Sequence, residues 1–190
     1  MSWYLWNDPA SPLQWGAVIS ASLVAAVYDI RSRRVPNALT FPLWVAGLAT
    51  AWCCGGQHAL GESALGCLLM ATPFVFLFLF ASGGAGDAKL MGAMGAWLGV
   101  LRGWEVLIAV LLAGAVLGIC YALASGRWRT VAGNLILMGH AVAATVAGRG
   151  ANTAAKEYIP SASSMVQMPY AVGICVGVLL AATREMLWHH

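Results

Sequence analysis

The stretch GGAGDAKLM, residues 83–91, places an aspartate between two apolar runs. Four small residues precede Asp87 and let the backbone bend freely, a base follows at Lys89, and apolar character resumes at Leu90. The run upstream, 63–81, is long enough to cross a bilayer. The run downstream, 88–101, is not: at about 1.5 Å per residue it reaches roughly two thirds of a hydrocarbon core of about 30 Å. Its start, beside Asp87, is therefore expected to lie below the membrane surface.

The composition agrees with a membrane setting. Of 190 residues, 61% are hydrophobic and 9% charged, with a mean hydropathy of +0.77. Soluble domains carry about 25% charged residues, so the chain reads as an all-α, polytopic integral-membrane protein forming one domain over residues 1–190. Five segments have the length of a spanning helix: 13–30, 38–54, 63–81, 104–125 and 169–188. The short run 88–101 makes a sixth. A seventh candidate, 131–148, is weakened by Asn134, His140 and many alanines.

Positive charge decides between the topologies. With the chain beginning outside and 131–148 lying along the surface, eight of the ten basic residues face the cytoplasm and only Arg102 and Arg184 lie outside, as the positive-inside tendency expects. Six spans with one interfacial helix are thus predicted. Trp3, Tyr4, Trp6, Trp15, Trp104, Trp128 and Trp188 cluster near the proposed helix ends, where amphipathic rings anchor. Pairs of glycines four apart (Gly95 and Gly99, Gly114 and Gly118, Gly173 and Gly177) predict close helix contacts.

Other classes are excluded. The net charge of +3 is too small and dispersed for nucleic-acid binding. The cysteines Cys53, Cys54, Cys67, Cys120 and Cys175 form no C-x-x-C pair and read as small packing residues. The histidines lack metal-ligand spacing, so neither metal nor cofactor is expected. No charged stretch precedes the first apolar run, and no cleaved signal peptide is expected.

The seven acids then separate. Asp8, Glu62, Glu105 and Glu185 fall on the outer side and Glu157 in a cytoplasmic loop, 151–168. Asp29 and Asp87 alone sit at cytoplasmic membrane edges. They are 58 positions apart (87 minus 29), one out-and-back hairpin, so the chain returns to the same face and the two carboxylates can meet. Ionisable groups at membrane depth are costly and mark function. Two carboxylates in contact do not both ionise easily, which suits one to activate water and the other to protonate a carbonyl. Gly83, Gly84 and Gly86 would let an extended substrate backbone approach and give Asp87 unusual backbone freedom. A structural reading also exists for each acid: Asp87 as the N-cap of the fourth helix, and Asp29 as a surface partner of Arg31, Arg33 or Arg34.

The pairing of YDIRSRRVPNALT (28–40) with GGAGDAKLMGAMGAWLG (83–99) resembles the type IV prepilin peptidases, and the short chain is similar to the subclass serving tight-adherence (Flp) pili. The resemblance maps Asp29 and Asp87 onto the catalytic pair, and Gly84, Gly86 and Lys89 onto the rest of a G-x-G-D-x-K motif. Pro36 and Asn37 match a Pro-Asn pair, with Asn37 expected to cap the second helix. MPYAVG (168–173) is similar to the family's approach to its last helix. What this implies is an aspartic endopeptidase of the bacterial cytoplasmic (inner) membrane that removes the short basic leader from prepilins or pseudopilins at the cytoplasmic face. Membrane lipid and pilus-assembly proteins are the further partners implied. Lys89 either tunes the dyad or snorkels to the surface. Longer members carry a cysteine-bearing insert associated with N-methylation, for which the link between the first two helices leaves no room. The alternatives are a G-x-G-D protease of the signal-peptide-peptidase kind, and a non-catalytic proton-coupled transporter or pilus-assembly component.

Overall fold

The computed structural model describes residues 12–81, 84–126 and 170–188. The segment 131–148 and the loop 151–168 lie outside the described residues. Four helices occur: α1 Pro12–Ser32, α2 Asn37–Ala81, α3 Ala85–Ala124 and α4 Tyr170–Trp188. Each contains a stretch long and apolar enough to cross a membrane.

The two long helices are each broken at one glycine. Gly56 has φ 64°, ψ −150° and Gly99 has φ 69°, ψ −164°, a region essentially reserved for glycine. Contacts on either side show that the chain reverses there. Gly47 packs on Ala96 and Trp97, and Gly66 on the backbone of Gly95 and Gly99. In a straight helix residues 47 and 66 would be about 28 Å apart, yet both sit beside 95–99. Trp97 Nε1 donates to the Leu43 carbonyl at 2.8 Å, and the Ser63 hydroxyl donates to the Ala96 carbonyl. Beyond the second break, Gly103 faces Met70, while Gly92 faces Cys67 and Ala71. The four helices therefore comprise six helical segments: 12–32, 37–55, 57–81, 85–98, 100–124 and 170–188.

The chain divides into two compact units, Met1–Ala115 with Pro169–His190, and Val116–Met168. In the first, small and flexible side chains such as Ala21, Ala25, Met70, Met91 and Met94 share the interior with Trp15, Phe74 and Trp97. Large ones such as Leu101, Leu112 and Leu187 point outward, the distribution of a bundle that meets lipid rather than water. α4 runs antiparallel to α1, since Asp29 meets Ala171 near one end. At the other end Arg102 bridges Gln14 and Glu185: its Nη1 donates to Gln14 Oε1, and its Nε pairs with Glu185 at 3.3 Å. α4 is also antiparallel to the segment beginning at residue 100, with Gly177 against the Val110 backbone and Tyr170 against Gly114. Of the expected glycine pairs, Gly95, Gly114 and Gly177 make close approaches, whereas Gly99 turns the chain. In the second unit, α3 ends in a turn at Ser125 and Gly126.

Candidate active site

Asp29 lies in the last turn of α1 and is buried, 8% exposed. The helix stops just beyond it because Arg33 adopts φ 51° while its N–H still donates to the Asp29 carbonyl at 2.9 Å. Val35 precedes a proline and is held away from helical backbone. The carbonyl of Pro36 then accepts the N–H groups of Leu39 and Thr40, so Pro36 occupies the capping position expected of Asn37. The Asn37 side chain instead accepts a hydrogen bond from Lys89 Nζ at 3.1 Å.

Asp87 is the third residue of α3, within its first turn rather than at its cap, because the Asp87 N–H donates to the Gly84 carbonyl at 3.1 Å and the helix begins at Ala85. An acid in a first turn also complements the helix dipole. The two motif glycines serve a different purpose from the backbone freedom expected of them. Neither Gly84 nor Gly86 adopts positive φ. A Cβ on Gly84 would lie 2.9 Å from Asp87 Oδ2, so the carboxylate folds back over the space that the glycine leaves. A Cβ on Gly86 would lie 3.1 Å from Val35 Cβ. That close approach seats the α1–α2 link beside the Asp87 turn.

The Gly86–Val35 contact and the Lys89–Asn37 hydrogen bond bring the two aspartates to the same end of the bundle. The N-terminus of α4 completes the arrangement. The Ala171 N–H donates to Asp29 Oδ2 at 3.0 Å and fixes that carboxylate. Tyr170 is also within electrostatic range of Asp87. Its ring packs edge-on against Phe74 at 5.7 Å, and its hydroxyl rests over Gly114. Sequence reasoning gave Tyr170 no role; its place in MPYAVG was the available signal. Lys89 is exposed and donates to the Asn37 side chain. Among the described residues, no group of three or more His, Cys, Asp or Glu side chains could hold a metal ion.

A groove of about 490 Å³ lies between α2 and α3, with Ala88, Lys89 and Gly92 of α3 along one side and Phe41, Trp44 and Val75 of α2 along the others, and neither aspartate lines it. Two carboxylates, one oriented by a backbone donor, form an arrangement able to take a proton from water and return one to a leaving group.

A family model described as the type IV leader peptidase family matches residues 16–123, just over half of the chain and inclusive of both aspartates. The chain belongs to the type IV leader peptidase family. Family relatives similar to it include the prepilin leader peptidase/N-methyltransferase of Burkholderia pseudomallei, 35% identical over 133 residues, covering 66% of this chain and 41% of that protein. The protein of the same name from Xanthomonas campestris pv. campestris is 32% identical over 124 residues, 60% of this chain and 43% of that one. That from Klebsiella pneumoniae is 33% identical over 111 residues, 55% and 47%. The matches thus span less than half the length of these leader peptidase relatives. No solved structure matches the chain.

Proposed function

We propose that this protein is a membrane-embedded aspartic endopeptidase that removes the basic leader from prepilins of the tight-adherence kind, using Asp29 and Asp87 as its catalytic pair. The reading is supported by the placement of both acids at one end of the bundle, where Gly86 packs on Val35 and Lys89 bonds Asn37, with Asp29 held by the Ala171 N–H. One carboxylate takes the proton of an attacking water while the other protonates the scissile carbonyl, and the proton returns to the leaving amine as the tetrahedral intermediate collapses. Gly84 gives the Asp87 carboxylate its space, and Gly86 lets the α1–α2 link approach. Lys89 and Asn37 form a polar pair beside the dyad rather than part of it. The proposal covers peptide cleavage alone, since the link at residues 33–36 leaves no room for a cysteine-bearing insert.

The six helical segments serve as six spans of the bacterial cytoplasmic membrane in this reading. Arg31, Arg33, Arg34 and Lys89 lie at the dyad end and Arg102 and Arg184 at the other, so the positive-inside tendency puts the dyad at the cytoplasmic face. The test is cleavage of a prepilin in membranes containing the wild type, Asp29→Asn or Asp87→Asn, with folded amounts matched. Asparagine keeps the shape of aspartate and removes its titratable proton. Loss of cleavage in both variants is expected; a wild-type rate in either one refutes the dyad.

A further inference from the structure

We infer that Tyr170 is a positioning residue for the proposed dyad: its ring, seated between Phe74 and Gly114, fixes the start of α4 so that the Ala171 N–H holds Asp29 Oδ2 and leaves Oδ1 to exchange protons. The inference rests on the prepilin peptidase reading. It goes beyond that reading by naming what orients Asp29 and the atom through which this acid works.

The first N–H groups of a helix have no partner inside it, and Ala171 is the second residue of α4. It is fully buried, so its N–H needs an acceptor from elsewhere in the bundle. Asp29 Oδ2 is that acceptor, at 3.0 Å and 142 positions away in the chain. A backbone amide only donates, so the oxygen facing it carries no proton. Proton exchange at Asp29 is thereby confined to Oδ1.

The bond lasts only while the amide keeps its place, and α4 has two ways to move it: sliding along its axis or turning about it. The Tyr170 ring opposes both. It packs edge-on against Phe74, with centroids 5.7 Å apart and planes at 70°, a favoured aromatic geometry. On its other side it fills the notch at Gly114, where a Cβ would lie 2.5 Å from the hydroxyl oxygen, 2.8 Å from the carbon bearing it and 3.2 Å from Cε2. Either motion takes the ring out of contact with one of these neighbours. Two turns further on, Gly177 repeats the register, since a Cβ there would stand 2.4 Å from Val110 Cα. Phe74 and Gly114 belong to segments 57–81 and 100–124, neither of which carries Asp29. The ring therefore registers α4 against those two segments, and the next amide passes that register to α1.

The experiment uses the full chain in phospholipid vesicles. Its aspartates are Asp8, Asp29 and Asp87, so Asp8→Asn with Asp87→Asn leaves Asp29 as the one side chain labelled when the protein is made by cell-free synthesis with carboxyl-labelled aspartate. The infrared band of that carboxyl group reads its hydrogen bonding whether or not the protein is a peptidase. Tyr170→Ala should shift the band, and Tyr170→Phe, which keeps the ring, should leave it in place. Because loss of the ring can cost the fold, a second variant replaces the Ala171 amide by a backbone ester, which removes one N–H and keeps every side chain; the same shift is expected. An unmoved band in the ester variant, or in folded Tyr170→Ala, overturns the inference.

Cleavage of a purified Flp-type prepilin is then measured with all the aspartates in place. Tyr170→Ala should lower kcat about tenfold to 100-fold, the scale of a reacting group displaced by up to about 1 Å, with KM little changed. The conservative Tyr170→Phe should recover most of that rate. A raised KM with unchanged kcat, or a loss in Tyr170→Phe as large as in Tyr170→Ala, would make Tyr170 a group that touches substrate; either result overturns the positioning role and leaves the peptidase reading intact. A wild-type protein that cleaves no prepilin overturns the peptidase reading, and a band shift would then mark a structural anchor only, so the positioning role falls with it.

Discussion

Replacing Gly66 by alanine tests whether the depth and direction of Asp87 are set by a backbone crossing elsewhere in the bundle. A Cβ on Gly66 would stand 2.5 Å from both the carbonyl carbon and oxygen of Gly99 and 2.6 Å from the Gly95 carbonyl oxygen. These are backbone atoms, so no rotamer change relieves the clash. To reach ordinary contact near 3.4 Å, segments 57–81 and 85–98 must separate by about 0.9 Å. Overpacking of this kind costs about 1–3 kcal/mol. The larger consequence is catalytic, because segment 85–98 carries Asp87 while Asp29 is held independently by α1 and α4. A misplacement of about 1 Å at a reacting group can cost roughly 100-fold in rate. Gly66→Ala should therefore melt lower in detergent and cleave prepilin about two orders of magnitude more slowly. Gly61→Ala, one helical turn or so away with nothing within 4 Å of its Cβ, should match the wild type in both assays. Wild-type melting and cleavage in Gly66→Ala would refute the crossing as the element that positions Asp87.

Glu185→Ala leaves Arg102 nearly buried without this counter-charge, their side chains being 12% and 13% exposed; a loss of about 3 kcal/mol is expected in detergent unfolding. Glu105→Ala breaks only the exposed pair with Arg184, and a change below about 1 kcal/mol is expected in the same measurement. Gly114→Ala puts a Cβ 2.5 Å from the Tyr170 hydroxyl and 2.8 Å from the ring carbon bearing it, so the ring must swing from its place near Asp87. Cleavage should fall more than stability does, and adding Tyr170→Phe should restore part of it, because the nearer of the two clashes is removed. No recovery in the double variant would place the damage in the helix pair rather than in the ring.

The helical segments were legible because hydrophobic length and turn-forming residues coincide. The connection between the second and third was less so. Residues 55–62 contain Gly55, Gly56, Gln57, His58 and Glu62, which lowers hydropathy and suggests a loop. The chain nevertheless stays helical on both sides of a single residue, Gly56. Polarity ends a hydrophobic run without ending a helix, whose backbone groups satisfy one another, and only a residue with access to left-handed φ reverses direction in so little chain. Asp29 and Asp87 were legible for the opposite reason: a carboxylate beside an apolar run has few inexpensive explanations. Capping roles for Asp87 and Asn37 were reasonable from residue type and wrong by one to three positions, because Gly84 and Pro36 supply the first carbonyls. Tyr170 was hidden because an aromatic residue at a membrane edge ordinarily reads as an anchor.

The distance between the two acids follows from counting residues. Gly99 reverses α3 at the end where Arg102 joins Gln14 and Glu185. From that level Asp87 is 12 residues back along its helix, about 18 Å, and Asp29 is 15 residues on from Gln14, about 22 Å. The acids thus stand within about 4 Å of the same depth, although one ends a full-length helix and the other begins a short one. In the proposed reading, the short helix is what brings a carboxylate below the membrane surface. The Gly86–Val35 approach brings the α1–α2 link to the Asp87 turn, and the amino end of α4 supplies the N–H that holds Asp29. This is the setting in which an intramembrane ionisable group is tolerated. A one-residue change in the Gly99-to-Asp87 spacing would rotate the acid by about 100° and turn it away from its partner. Within this fold, the length of the short helix therefore fixes both the depth and the direction of Asp87.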